Sequence, residues 1–295
     1  MPKTIEPYNL TLTNSKNGNL AFKLMTLDSS SNFDHIQRNN YYSLIWLKEG
    51  SGKLRSDFKE YDIASNHLFA FSPYQPFMFL ADSFQGVGIY FHPDFFCIHR
   101  HQAEIACHGI LFNNIYEPPF TLVDENSAAV FESIIEQMRI EIQNQGLAQY
   151  ELLVSYLKIF LINCSRLKSE HQPNALKQIS GRKEPFVLQN LKHAIEKNFK
   201  QKHSAGEYAN ELNMSIKALA KLSKKHFNKT VTELISERIV IEAKRELYLT
   251  NKPIKEIAYE LGYQDEYYFS RFFKVNTDVS PHLYRETVGS GRDAA

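Results

Sequence analysis

Basic side chains line two short stretches, Lys217, Lys221 and Lys224 in one and Arg271 and Lys274 in the other, with Lys221 matching Arg271 and Lys224 matching Lys274. Between them lie apolar residues at helical spacing, Leu219 and Leu222 in the first stretch and Phe269, Phe272 and Phe273 in the second. A helix with this period turns its apolar face inward and carries its cations outward. Outward lysines and arginines on a helix can neutralise phosphates, which is the electrostatic part of nucleic-acid binding.

The elements that must hold these helices are also repeated. Glu207–Asn213 (EYANELN) matches Glu256–Gly262 (EIAYELG) at a shift of 49. One inserted residue later, Leu219, Lys221, Leu222, Lys224 and Asn228 match Phe269, Arg271, Phe272, Lys274 and Asp278 at a shift of 50. Ala209 and Ala258 are small where two helices must approach closely. Asn213 and Gly262 tolerate the left-handed conformation that ends a first helix and begins a turn. Ser215 and Asp265 suit the N-caps of the second helices. Each unit therefore reads as helix, tight turn, helix, the geometry in which a second helix enters the major groove. Between the units, Thr230 and Glu233 form a capping box that opens a helix running to Tyr248. About 16 residues at ~1.5 Å each give a spacer of ~24 Å, suited to holding two recognition helices on one DNA face about one helical turn apart, ~34 Å.

The segment from about Pro185 to Arg285 resembles the DNA-binding domain of the AraC/XylS family of bacterial transcription regulators. The resemblance rests on Ile254–Tyr263 (IKEIAYELGY), Tyr268–Lys274 (YFSRFFK) and Ser280–Arg285 (SPHLYR), with Met214–Leu219 (MSIKAL) and the Arg238 and Glu242–Leu247 positions of the connecting helix. Asn228 and Asp278 stand where the family usually has glycine, and both enter the left-handed region more readily than most residues. Ser223 stands where an aromatic residue is usual, which should loosen the first unit. The resemblance implies base-facing positions at Ser215, Lys217, Ala220, Lys221 and Lys224 in the first unit. In the second it implies Glu266, Tyr267, Ser270, Arg271 and Lys274. Lys and Arg suit guanine O6 and N7, and Glu266 suits the cytosine N4 donor. Partners implied by the family are double-stranded DNA, RNA polymerase and a small-molecule effector, with a homodimer as the expected assembly and activation as the expected output.

Charge alone points the other way until it is divided. The 295-residue chain has a formal net charge of +1, which argues against nucleic acid. Residues 1–180 hold 14 Lys and Arg against 18 Asp and Glu, a balance of −4, and the rest hold 20 against 15, a balance of +5. The positive share lies with the repeated helices.

The first part of the chain is different in kind. Runs such as Tyr42–Leu47, His67–Phe71 and Phe77–Leu80 alternate with turn-rich stretches, as many short strands of a barrel or sandwich do. The expected fold is α+β: a cupin-like barrel over about residues 1–122 and a helix pair over about 124–168. A polar linker at 169–184 follows, then a DNA-binding domain at 185–287 and a tail at 288–295. One helix of the pair has apolar surface to spare, for either a dimer contact or internal packing. By analogy with sensory barrels joined to such domains, Tyr42, Trp46, Phe69, Phe71 and Phe79 are candidate walls of an effector pocket.

A metal-dependent barrel enzyme is the main alternative. It needs a His-x-His pair with a nearby Glu and a later His, and the first strands offer only the isolated His35 and His67. The stretch around Cys97, His99 and His101, followed by Cys107 and His108, carries zinc-type donors, spaced as neighbours on one strand face but matching no zinc signature. No cofactor and no metal are expected, and no enzymatic role. A constitutive DNA-binding protein whose barrel only dimerises remains a third possibility. Three cysteines, no secretory signal pattern and no run of some 18–20 apolar residues place the expected protein in the cytoplasm, off the membrane.

Overall fold

The computed structural model describes residues 7–14, 18–31, 33–56, 59–81, 83–101, 104, 110–144, 146–180 and 186–288, with 171–180 as backbone only. Among the described residues nine strands are followed by nine helices: β1 (Asn9–Thr13), β2 (Leu20–Asp28), β3 (Tyr42–Gly50), β4 (Gly52–Ser56), β5 (Lys59–Ile63), β6 (His67–Phe71), β7 (Phe77–Leu80), β8 (Phe84–Phe91), β9 (Phe120–Leu122), then α1 (Glu125–Gln143), α2 (Gln149–Ser180), α3 (Phe186–Asn198), α4 (Ala205–Glu211), α5 (Ile216–Phe227), α6 (Val231–Leu249), α7 (Ile254–Glu260), α8 (Glu266–Thr277) and α9 (Pro281–Val288). The chain divides into two compact units. The first comprises Met1–Asn114 and Pro118–Gln172, the second Pro173–Ala295 together with Ile115–Glu117.

The first unit is three layers deep. A six-stranded antiparallel sheet, ordered β1-β2-β8-β3-β6-β9, faces a three-stranded sheet ordered β5-β4-β7. The chain passes from one sheet to the other between β3 and β4 at Gly50–Gly52, the turn chemistry seen in the sequence. Because β3 is central, both of its faces are buried, and strict alternation decides what each meets. Tyr42, Leu44 and Trp46 join a core with Phe91, Phe131 and Phe160 on the helix side. Ile45 and Leu47 join Phe69, Phe71, Phe77 and Phe79 between the two sheets. Helix α1 is capped by Asp124, which accepts from the Ser127 N–H, and buries Phe131, Ile134, Ile135 and Met138. Gln149 Nε2 donates to the Glu141 carbonyl at 2.7 Å and so ties the start of α2 back to α1.

One sequence expectation changes. Helix α2 runs on to Ser180, so most of the polar stretch 169–184 begins as helix, and residues 181–184 lie outside the described residues. Polar composition removes a buried face but does not forbid a helix, and the backbone stays helical through Pro173. The stretch around Cys97 is a series of turns, in keeping with the loop that Pro93 suggests. Cys97 is buried and its sulfur accepts from the Arg100 N–H at 3.3 Å, while His101 stacks on Phe96 and bonds Glu104. No group of three metal-type donors is assembled among the described residues, and Cys107 and His108 lie outside them. The tail from 289 onward also lies outside. Among the described residues no helix is long and apolar enough to cross a membrane.

Candidate nucleic-acid interface

The second unit builds two helix-turn-helix elements from the repeat. In the first, α4 is started by a capping box between Ser204 and Glu207, and α5 by Ser215, whose side chain accepts from the Ala218 N–H. The turn between them places Asn213 at φ 52°, and the Met214 N–H reaches the Ala209 carbonyl at 2.8 Å. In the second, Gly262 takes φ 84° and the Tyr263 N–H reaches the Ala258 carbonyl at 2.9 Å. The two turns are the same device. Ala209 and Ala258 are fully buried at the helix crossings. Asp265 caps α8 by accepting from the Tyr267 N–H at 2.9 Å.

The two recognition helices end alike. Asn228 and Asp278 occupy the left-handed region at φ 51° and 65°, as expected where glycine would otherwise stand. The first unit is not left loose at Ser223. That residue is completely buried and its hydroxyl donates to the Lys229 carbonyl at 2.7 Å, so a local hydrogen bond stands where Phe273 supplies ring packing in the second.

Helix α6 is the spacer. Its capping box of Thr230 and Glu233 is present. It is longer than the sequence suggested, 19 residues or ~28 Å at about 1.5 Å per residue. Ion pairs fix its surroundings. Glu242 is buried and bonds Arg238 at 3.1 Å and Arg245 at 2.9 Å, with Lys200 at 3.7 Å. Arg238 also bonds Glu196 on α3 at 2.7 Å and lies 3.9 Å over the Phe199 ring. At the far end Arg285 of α9 donates to the carbonyls of Leu247 and Lys252, closing the end of α6 against the approach to α7. Three residues of the β8–β9 connection complete this unit. The buried Lys229 donates to the Ile115 carbonyl at 2.9 Å, Tyr116 OH donates to Glu196 at 3.2 Å, and the Tyr116 ring packs on Phe227.

Burial alone would raise the Glu242 carboxyl; Arg238, Arg245 and Lys200 outweigh it and hold the group below its ordinary value. A carboxyl lowered by folding stabilises the protein above its unfolded value, roughly pH 4.3, and that contribution is lost as pH falls through the lowered folded value. Glu242→Gln is expected to cost about 2–3 kcal/mol at pH 7, because it leaves partly buried cations facing a neutral group. Urea titrations at pH 7 and pH 3 check it: the gap between wild type and variant narrows at the lower pH.

The outward faces differ in chemistry. On α5, Ser215, Lys217, Lys221 and Lys224 are exposed as the repeat required, and Lys225 is exposed beside them. On α8, Tyr267, Tyr268, Arg271, Lys274 and Val275 are exposed, as is Gln264 in the turn before it. Ala220, Ser270 and Glu266 are half-buried, so they flank the exposed ridges. The exposed Lys225, Gln264, Tyr268 and Val275 were not singled out from the sequence. The signal was present in the helical period, but matching the repeats against each other discarded positions where they disagree, as Lys225 and Val275 do. The candidate pocket residues of the first unit do not stay together. Phe69 and Phe71 of β6 and Phe79 of β7 lie between the sheets, whereas Tyr42 and Trp46 take the positions of β3 that face the helix side.

Two capped helix-turn-helix elements on a rigid spacer, with lysines along the exposed ridge, define a helix-turn-helix DNA-binding module. Residues 208–287 match the family model described as a helix-turn-helix domain. The chain is 37% identical over 85 residues to the transcriptional activator Btr of Bacillus subtilis, a match covering 29% of this chain and 16% of Btr. It is 30% identical over 95 residues to the raffinose operon regulatory protein RafR of Pediococcus pentosaceus, covering 32% of this chain and 34% of RafR. Only part of the length of these relatives is therefore spanned. The regulatory protein SoxS of Salmonella typhimurium is 30% identical over 102 residues, covering 35% of this chain and 95% of SoxS. Among solved structures, ToxT of Vibrio cholerae with bound unsaturated fatty acid aligns over 94% of this chain and 97% of its own at 17% identity and a TM-score of 0.41. The C-terminal domain of the response regulator AraT from Geobacillus stearothermophilus aligns over 39% and 94% at 28% identity and a TM-score of 0.37. The chain belongs to the AraC/XylS family of transcription regulators.

Proposed function

We propose that this DNA-binding transcription regulator reads one continuous DNA site with both helix-turn-helix elements of each chain and activates transcription in response to a small effector. The observation that carries the reading is the pair of exposed basic ridges on α5 and α8, joined by the single helix α6. In this reading Ser215, Lys217, Lys221, Lys224, Tyr267, Arg271 and Lys274 reach the groove or its phosphates. The half-buried Ala220, Ser270 and Glu266 line its edges. The first unit, taken as residues 1–168, acts as a cupin-like effector domain, with the pocket between its two sheets. The domain at 185–287 does the binding. Exposed Leu152 and Ile159 along α2 supply an apolar strip for a homodimer in the cytoplasm, and RNA polymerase is the downstream partner.

Selection from random duplex DNA with the full chain tests this. The expected outcome is an enriched asymmetric site with two informative blocks about 10 base pairs apart, bound with steep salt dependence. Recovery of a single short block would remove the role of one of the two elements.

A further inference from the structure

The two recognition helices share one scaffold but not one outward chemistry. At the shift of 50 that aligns α5 with α8, Lys217 meets Tyr267, Ala218 meets Tyr268 and Lys225 meets Val275, while Lys221 and Lys224 keep cations at Arg271 and Lys274. Two lysines of the first element are thus replaced in the second by an aromatic and an aliphatic residue. Tyr267 is 79% exposed, Val275 73% and Tyr268 59%. One apolar side chain in water is ordinary, but three on a helix of 12 residues form a surface suited to a partner.

Tyr267 is the best placed of the three. It is the second residue of α8, and the Asp265 carboxylate accepts its N–H at 2.9 Å, so the backbone that carries the ring is fixed. The N-terminal residues of a recognition helix are the ones that meet base edges in the major groove. Among the described residues no hydrogen bond, ion pair or ring contact engages the Tyr267 side chain, whereas the Tyr268 ring leans on Tyr263 at 5.9 Å. Val275 lies about two turns further on, near the end of the helix at Thr277. A tyrosine ring has few torsions to restrain, so it offers a large apolar face at small entropic cost.

What such a face can read follows from the groove. Arg271, one turn beyond Tyr267, and Lys274 are exposed cations on the same helix, so the partner is an anion that also presents apolar groups. The apolar group on a base edge in the major groove is the C5 methyl of thymine, whereas the other bases present hydrogen-bonding atoms there. Lys217, at the equivalent place on α5, suits the guanine acceptors O6 and N7 instead.

We propose that Tyr267 is a specificity-determining residue that packs its ring on the C5 methyl of thymine in the block read by α8. The two elements then divide the site by chemistry: α5 selects guanine acceptors through Lys217, and α8 selects thymine methyls through Tyr267. This rests on the reading of both elements as base readers and names what the second one recognises.

The test uses the full chain and the duplex that it selects. Each thymine of the site is replaced in turn by deoxyuridine, which removes the methyl and keeps every hydrogen-bonding atom. Affinity is measured for wild type, Tyr267→Ala, Tyr267→Phe and Val275→Ala. In one block at least one replacement is expected to weaken wild-type binding about three- to fivefold, the worth of one buried methyl. Tyr267→Ala should bind the thymine and deoxyuridine duplexes alike at that position. Tyr267→Phe should keep the penalty, since the ring and not the hydroxyl makes the contact, and Val275→Ala, further along the helix, should keep it too. A site without a uracil-sensitive thymine, a penalty that survives in Tyr267→Ala, or one that is lost in Tyr267→Phe or Val275→Ala overturns the assignment. Two informative blocks with no Tyr267-dependent methyl effect fail this inference and leave the two-element reading standing. A single block with such an effect upholds the contact and fails the two-element reading. Failure to select any site overturns both.

Discussion

Gly262→Ala is expected to destabilise the second helix-turn-helix by about 3 kcal/mol or more and to abolish site-specific DNA binding. Two causes coincide at this residue. Its φ of 84° is left-handed, and a Cβ built there would lie 2.1 Å from the Lys200 carbonyl oxygen, with the His203 ring at 3.2 Å. Backbone must therefore move. Gly262→Asn separates the causes: asparagine tolerates the dihedral, as Asn213 does in the matching turn, yet its Cβ meets the same carbonyl. It should be nearly as damaging as alanine. Gly206→Ala is the control. It lies in the first turn of α4, where the nearest atom to a new Cβ is Ile216 Cδ1 at 3.5 Å, and stability should rise by up to about 0.5 kcal/mol. Thermal melts of the three variants check the order, and a Gly262→Asn protein as stable as wild type would sink the close-approach argument.

Lys221→Ala is expected to weaken binding to the selected site more than Arg271→Ala, by about 5- to 100-fold against a smaller loss. The helices explain the ranking. The exposed face of α5 carries Lys217, Lys221, Lys224 and Lys225 and no carboxylate. Helix α8 begins with Asp265 and Glu266, which favour its N-terminus but repel phosphate. Replacing Lys217, Lys221 and Lys224 together should reduce the slope of log K against log salt by up to about 3. Gel-shift titrations at several salt concentrations measure both quantities. The reverse order for the single variants would mean that α8 supplies most of the affinity.

How much of this was legible beforehand depends on the kind of signal. Caps and turns were readable because each rests on one or two residues: Ser215, Asp265, Thr230 with Glu233, Asn213 and Gly262 all sit where their local chemistry put them. The lysine ridge was readable because exposure leaves a helical period. The placement of the aromatic residues of the first unit was only half readable. In a strand buried on one side, alternation between apolar and polar marks the faces, but Tyr42–Leu47 is buried on both and carries no such mark. The length of α6 and the continuation of α2 were underestimated because periodic apolar residues stop before the hydrogen-bonded backbone does.

The tripeptide Ile115–Glu117 shows that position along the gene and membership of a folded body are separate properties. A fragment beginning at residue 185 carries every helix of the DNA-binding module, yet it omits the carbonyl that Lys229 grips and the ring that covers Phe227. Recombination that exchanges C-terminal modules between relatives must therefore bring together two distant stretches of coding sequence. A crossover in the interdomain stretch alone leaves the new module with another protein's tripeptide. Such exchanges should succeed where the donor and recipient agree at Ile115, Tyr116, Lys229 and Glu196, which ties the drift of a surface connection in one half to helices in the other.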